Sequence, residues 1–461
     1  METKKMTVDN LMTFPMLLAG GSGTRLWPVS RDQAPKQLAE IGGERSFLQE
    51  TVQRLHPALC LDNVRVVCGK AHCDESSAHL AAIGLTTEKT IIGEPIGRNT
   101  APAILLAVLK VLDQASIQDA LFFILPADHV IGNIPRFHER IQKAIHLAQK
   151  GYLVTFGIQP DYPETGYGYI EARKPVPGGG LAIDRFVEKP DMATARSYID
   201  TGGFFWNSGM FAFMASAILN EFKRFEPEML AKMTAIVSKG EPIAVAAYQD
   251  LPSISFDVAI MEKTSKGVVL PSDFGWSDIG TWNSLHAYMP KDGDGNVIAG
   301  DVIAYKTKNS LIIAQSRLVA ANDISDTTIV ETPDAVFVSS LETSRDVKDI
   351  VSILKQQNRR EYQVHLLETH VWGSIQYLEK TDQLLVAKLL IKPNAVYEKT
   401  PQRPGPWHIC LLSGDARIAH AGKQHPLQAG NSLSLNVKDE VTIRNSGKNS
   451  LLALVTHSNI P

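Results

Sequence analysis

No apolar run of roughly eighteen residues occurs in this 461-residue chain, so a membrane-crossing helix is not expected. Cysteine is scarce: Cys60, Cys68, Cys73 and Cys410 are the only four, and none stands in a C-x-x-C pair. That spacing favours reduced structural thiols over disulfides or a zinc site, with a cytoplasmic location as the expectation. Neither sign of charge dominates: 46 Lys and Arg against 49 Asp and Glu leave a formal net charge of −3. This balance gives no reason to expect nucleic acid or an acidic membrane surface as partner. The N-terminal METKKMTVDNLMTF has no apolar h-region and reads as a short disordered leader over residues 1–14. The 13 histidines do not cluster, and no Ser-His-Asp or Cys-His set is visible. Two common phosphate motifs, G-x-G-x-x-G and G-x-x-x-x-G-K-[ST], are absent from the glycine-rich N-terminal segment, which argues against a dinucleotide fingerprint and a P-loop.

What is present instead is LLAGGSGTRLWPVSRDQAPKQ at residues 17–37. A short apolar run ends in glycines, and basic residues follow at close spacing. Glycines let main-chain N–H groups approach an anion and permit φ > 0. Arg25 and Lys36 add positive charge. A glycine-rich turn is the ordinary reading of such a string; the cations after it favour a phosphate-binding loop, with Leu18, Ala19, Gly20, Gly21, Gly23, Thr24 and Arg25 as candidate nucleotide-binding residues.

At this length two or three domains are expected. Up to about residue 290, short apolar runs at 16–19, 64–68, 121–125 and 153–156 read as buried strands. Between them lie helical patterns. Ser46 with Gln49 predicts a capping box, and Phe137, Ile141, Ile145 and Ala148 predict a helix over 135–150. Strands alternating with helices imply an α/β domain with a Rossmann-like, mostly parallel sheet over 15–290, covered on both faces. Ligands of such sheets bind beyond the carboxyl ends of the strands. From 291 to 360 the texture changes to short β-branched segments at 302–305, 310–313, 317–320, 328–331 and 336–339, separated by Asn and Asp turns. This predicts a β-solenoid-like segment, followed by a linker helix over 345–360. Residues 361–461 read as short strands of an all-β barrel or sandwich.

Several motifs bear on chemistry. Asp128 ends FFILPADH, with His129 beside it, and Asp278 lies in GWSDIGTW. Lone aspartates after strands are usually turn residues; beside a phosphate loop they are candidates for holding a metal. In GEPIGRNTAPA, Arg98 can pair with phosphate, while Asn99 and Thr100 can cap the next helix, whose N-terminus is itself an anion site. FVEKP places Glu188 beside Lys189, TGYGYIE contains Gly168 and Glu171, and WNSGMF contains Asn207.

Together with Trp27-Pro28 and Pro35-Lys36-Gln37, the glycine string resembles the signature of sugar-1-phosphate nucleotidyltransferases, and GEPIGRNTAPA makes it most similar to mannose-1-phosphate guanylyltransferases. The resemblance implies a nucleotidyltransferase domain, GTP and mannose 1-phosphate as substrates, and Mg²⁺ held by Asp128 and Asp278. It implies catalytic roles for Arg25 and Lys36. It places the sugar phosphate at Gly168, Glu171, Glu188, Lys189 and Asn207. A homodimer is expected, with the solenoid and the barrel as plausible surfaces.

The layout is similar to that of longer members in which a cupin-type phosphomannose isomerase domain follows. HVWGS at 370–374, IKP at 391–393 and LSGDA at 412–416 are its traces. An active isomerase of that type would carry histidines and a Glu between the last two landmarks. Here YEKTPQRPGPWHIC puts Gln402, Arg403 and Pro404 in the histidine positions and Trp407 in the Glu position, leaving His408. Val441 stands where a further His is expected. One His cannot hold a catalytic ion alone, so the expectation is a cupin-like barrel without isomerase activity. Two rivals remain open: transfer to another sugar 1-phosphate, deoxy or heptose, and a catalytically silent binding or regulatory subunit.

Overall fold

The computed structural model describes residues 11–21, 23–43, 45–85, 89–381, 383–399, 405–437 and 440–458. Two compact units divide it. One holds the described residues up to Thr332 together with Val336–Tyr362; the other holds Pro333–Ala335 and the described residues from Gln363 onward. No helix among the described residues is long and apolar enough to cross a membrane.

The first unit is built on a mixed sheet with helices on both faces. Its strands are β1 (Thr13–Ala19), β2 (Arg65–Gly69), β3 (Ile91–Glu94), β4 (Leu121–Pro126), β6 (Leu153–Ile158), β7 (Tyr169–Val176), β8 (Gly180–Val187), β9 (Phe204–Met214) and β10 (Gly267–Ser272). They lie in the order β3-β2-β1-β4-β9-β6-β10-β8-β7. Pairing is parallel from β3 through β4 and between β6 and β10, while β8 and β9 run against their neighbours. A two-stranded ladder, β5 (Val130–Ile131) with β11 (Trp276–Ser277), stands apart from it.

Alternation along β1 and β4 shows why both read as unbroken apolar runs. Phe14, Met16, Phe122 and Ile124 bury into one layer, and Leu17, Ala19, Phe123 and Leu125 into the other. The second layer is filled from α1 (Phe47–Gln53), α2 (Cys73–Ala82) and α4 (Ile134–Gln149) by Leu48, Val52, Leu80, Phe137 and Ile141. The first is filled from α3 (Thr100–Ala115) by Ile104, Leu105 and Val108. The capping box at α1 is formed: Ser46 N–H donates to Gln49 Oε1 at 2.9 Å, and Ser46 Oγ accepts from Gln49 N–H at 3.3 Å.

One boundary is corrected. The strand begins at Thr13, so Thr13 and Phe14 belong to the sheet and not to a leader; Phe14 is buried under the layer that α3 fills. Residues 1–10 of that leader lie outside the described residues.

Next come β12 (Val297–Ala299), β13 (Val302–Tyr305), β14 (Leu311–Ala314), β15 (Val319–Asn322), β16 (Thr327–Thr332) and β17 (Ala335–Ser340). Val297, Leu311 and Thr328 stack in parallel register, as do Val302 and Val319. The coils are of unequal length, which is why the period is irregular in the sequence. The helix that follows runs Val347–Gln356, shorter than predicted, because residues 342–346 form a tighter turn before it.

The second unit consists of antiparallel sheets of six and four strands. Ile375, Leu389, Ile409, Ile418, Ile443 and Val455 make its core. Trp407 and Val441 are both buried in that core, while His408 is exposed and bonded to Ser434 Oγ at 2.7 Å. Gln402, Arg403 and Pro404 lie outside the described residues. All four cysteines are free thiols.

Candidate active site

The glycine loop leaves the carboxyl end of β1. Gly21 and Gly23 adopt φ of 97° and 57°, the left-handed region that disfavours other residues. A side chain at Gly23 would strike Lys36 Cβ at 2.5 Å, whereas the space beside Gly20 and Gly21 is open. The loop is closed from below: Gln37 Nε2 donates to Ala19 O at 2.5 Å, and Ser30 Oγ donates to Gly23 O at 2.5 Å. Leu18 O accepts from Ala127 N–H at 3.0 Å, which ties the loop to the segment after β4. Thr24 and Arg25 begin a single 3₁₀ turn, and Arg25 is exposed. Ser22 lies outside the described residues.

The β5–β11 ladder brings two distant carboxylates together. Ser277 pairs with Val130, so Asp278 lies beside Asp128 and His129 although 150 residues separate them in sequence. Lys36 is 4% exposed, and its ammonium joins the pair. Nζ donates to Asp128 Oδ2 at 3.1 Å and to the main-chain carbonyl of Asp278. Burial opposes ionisation of Asp128, but the Lys36 ammonium overrides it and keeps the carboxyl below the usual carboxylate range. Asp278 Oδ1 accepts from Tyr167 O–H at 2.8 Å and from Gly280 N–H at 2.9 Å. His129 Nδ1 accepts from Trp276 Nε1–H at 3.1 Å, and burial lowers its pKa, so the ring is neutral near pH 7.

Sequence reasoning misses Tyr167, although it stands inside TGYGYIE. Its ring meets Trp206 and Trp276 edge-on at 5.3 and 5.2 Å. Its main-chain carbonyl accepts from Lys189 N–H at 3.2 Å. Tyr167 therefore joins the carboxylates to FVEKP, by its phenol on one side and its main-chain carbonyl on the other.

On that second side Gly168, Glu188, Lys189 and Asn207 come together. Gly168 O accepts from Asn207 N–H at 2.8 Å, and a Cβ on Gly168 would meet Glu188 Oε2 at 2.7 Å. Lys189 Nζ pairs with Glu188 Oε1 at 2.8 Å. Asn207 Nδ2 donates to Asp257 Oδ1 at 2.9 Å. Burial and the Glu188 carboxylate push the Asp257 carboxyl up to about 7. The only local signal for Asp257 is a lone carboxylate inside the apolar run SISFDVAIM.

Glu171 is not brought into this group. It sits in β7 opposite Phe204, and Arg173 and Arg185 engage its carboxylate at 3.6 and 3.3 Å. The start of α3 also differs from a free anion site. Asn99 Oδ1 caps Thr100 N–H at 2.8 Å, Thr100 Oγ1 accepts from Phe256 N–H at 2.8 Å, and Ala101 N–H donates to Ile254 O at 3.2 Å. Those groups are spent on holding the segment before Asp257. Arg98 remains beyond β3, whose register through β2 to β1 puts it on the same sheet edge as the glycine loop.

Among the described residues no three His, Cys, Asp or Glu side chains group as a metal cage. Asp128 and Asp278 offer hard carboxylate oxygens at the cleft, a donor set suited to a hard divalent ion that takes its remaining ligands from phosphate and water.

The family described as Nucleotidyl transferase matches residues 14–295, and the one described as MannoseP isomerase/GMP-like beta-helix domain matches residues 300–354. A mannose-1-phosphate guanylyltransferase of Escherichia coli is 38% identical over 95% of this chain and 94% of its own length. One of Klebsiella pneumoniae is 37% identical over 97% and 96%. The alginate biosynthesis protein AlgA of Pseudomonas syringae is 36% identical over 94% and 91%. A solved structure from Thermus thermophilus, described as a mannose-1-phosphate geranyltransferase, is 30% identical with a TM-score of 0.67, covering 75% of this chain and all of that one. By these matches along nearly its whole length, the chain belongs to the mannose-1-phosphate guanylyltransferase family of nucleotidyl transferases.

Proposed function

We propose that this enzyme makes GDP-mannose and diphosphate from GTP and mannose 1-phosphate. The observation that carries the reading is the Lys36 ammonium joined to Asp128 and to Asp278 beneath an open glycine loop. The sugar phosphate oxygen attacks the α-phosphorus of GTP in line. A P–O bond forms there as the bond to the β-phosphate oxygen breaks, and diphosphate leaves. Such a reaction needs positioning and charge neutralisation more than covalent help.

Gly20, Gly21 and Gly23 supply close main-chain approach to the triphosphate, and Arg25 and Arg98 supply cations at its edge. Lys36 fixes the carboxylates and adds charge next to them. Lys189 meets the phosphate of the sugar, and Glu188 and Asn207 meet its hydroxyls. Members of this family work with a divalent metal. Asp128 and Asp278 would hold Mg²⁺, which supplies charge neutralisation on the reacting phosphates when bound.

The second unit, in this reading, does not isomerise sugar phosphates. Trp407 and Val441 are part of its packed interior and offer no ligand atoms.

The test is diphosphate release by the purified protein with Mg²⁺, GTP and mannose 1-phosphate, with ATP, UTP and other sugar 1-phosphates alongside. An Asp128→Ala/Asp278→Ala variant is the blank. Release confined to GTP with mannose 1-phosphate and lost in the variant is expected. Release with another sugar would keep the mechanism and replace the substrate. Silence with every pair would leave a binding protein.

A further inference from the structure

The Asn207 side chain has a limited set of hydrogen bonds, and most of it is already spent. Its Oδ1 accepts from Gly209 N–H at 3.2 Å, and the Thr155 hydroxyl, whose one proton is shared between this oxygen at 3.1 Å and the Met210 carbonyl at 3.0 Å, lies beside it. A main-chain N–H can only donate, so the atom facing Gly209 must be the oxygen. Of the two N–H groups on Nδ2, one goes to Asp257 Oδ1 at 2.9 Å. What remains for a ligand on Nδ2 is a single N–H.

We infer that Asp257 is a positioning residue of the sugar subsite, holding the Asn207 amide so that it offers its second N–H to a sugar oxygen. The inference rests on the guanylyltransferase reading and deepens it. That N–H selects an oxygen that can accept. A hydroxyl that accepts from Asn207 then has its own proton free for a carboxylate, and Glu188 stands beside the same Gly168–Asn207 link. A sugar hydroxyl so engaged is satisfied in both senses, which an isolated carboxylate could not achieve.

Asp257 opens a five-residue π-helical turn, Asp257–Met261, whose Ala259, Ile260 and Met261 are buried in the core. Such turns often mark functional positions. The preceding Phe256 is buried, so the carboxylate is carried on a segment anchored on both sides. The charged groups facing it are Glu188 and Lys189, and Glu188 opposes its ionisation more than Lys189 favours it. A carboxyl kept in an apolar segment, next to another carboxylate, is costly for the fold, and the Asn207 amide is the side chain that engages it.

The experiment is steady-state kinetics with each substrate varied in turn, on wild type, Asp257→Ala, Asp257→Asn, Asn207→Ala and the double Asn207→Ala/Asp257→Ala variant. Asp257→Ala is expected to raise KM for mannose 1-phosphate about tenfold while KM for GTP stays within about twofold. Asp257→Asn, which keeps an acceptor oxygen for the amide, should recover most of that loss. In the Asn207→Ala background, removing Asp257 should add nothing, because the carboxylate acts through the amide. Asp257→Ser is too short to reach Nδ2 and gives the same readout if the alanine variant folds poorly.

An unchanged KM for the sugar phosphate, an equal rise for GTP, or full additivity in the double variant would overturn the inference. Wild-type turnover separates the two levels. An active wild type with an insensitive Asp257 overturns this inference alone. If wild type prefers a different sugar 1-phosphate, the same comparison is read with that sugar. No turnover with any sugar overturns both.

Discussion

Lys36 Nζ lies 3.1 Å from Asp128 Oδ2, and the Cβ of the same lysine leaves no room for a side chain at Gly23. The ammonium is almost wholly buried, and it also donates to the Asp278 carbonyl, so one side chain sets the spacing of two loops. Lys36→Met should therefore lower kcat by at least about a hundredfold, since an oriented cation is lost where phosphate charge develops. It should also return the Asp128 carboxyl toward the ordinary range. Diphosphate release and a thermal melt of the same preparation check this; a variant within a few-fold of wild-type kcat refutes it.

Tyr167→Phe removes one hydroxyl and leaves the ring between Trp206 and Trp276. A hydrogen bond to a charged carboxylate contributes about 1.5–3 kcal/mol, so kcat/KM should fall roughly ten- to hundredfold with little change in melting temperature. A large drop in melting temperature would instead assign Tyr167 to packing.

Gly23→Ala carries two penalties at once, a left-handed φ of 57° and a Cβ 2.5 Å from Lys36 Cβ. The backbone cost alone is about 1–2 kcal/mol. Gly20→Ala meets nothing within 4 Å and serves as its partner control. Chemical denaturation should show Gly23→Ala destabilised and Gly20→Ala unchanged, with GTP binding weakened in both.

Glu331 supplies a pH test away from the active site. Its carboxylate is 3% exposed and accepts from Ser316 N–H at 2.9 Å, Ser316 Oγ–H at 2.6 Å and Arg317 N–H at 3.2 Å. Burial opposes ionisation, but these donors win and hold the carboxyl below its ordinary value. A group depressed in the folded state stabilises above its unfolded pKa, and the gain is lost as pH falls through the folded one. Melting temperatures of wild type and Glu331→Gln should thus differ most at neutral pH and converge in acid. Curves that stay parallel would remove the carboxylate from the account.

The second unit should not interconvert mannose 6-phosphate and fructose 6-phosphate, whichever of Zn²⁺, Mn²⁺ or Co²⁺ is added. A coupled assay on the full chain checks this, and metal-dependent turnover would show that ligands come from elsewhere in the barrel.

Local chemistry in the sequence announces the parts whose cause is local. The capping box at Ser46, the glycine loop, and the strand that ends before Asp128 follow from neighbours a few residues apart. Asp278 is legible as a motif, but its approach to Asp128 depends on the two-residue β5–β11 ladder, which no periodicity reveals. Glu171 looks like Glu188 in sequence; a pair of arginines, one of them on the adjoining strand β8, decides otherwise. Phe14 reads as leader because polar residues precede it, and its burial comes from tertiary neighbours, Phe122 on β4 and the layer that α3 fills. Asp257 gains its meaning from Asn207, 50 residues away.

Thr100 Oγ1 and Ala101 N–H, at the start of α3, fasten the Arg98–Asn99 turn to Phe256 and Ile254, the residues leading into Asp257. The turn after β3 and the segment that carries Asp257 are thereby strapped together. Displacing either segment would therefore break both hydrogen bonds, so neither can shift without the other.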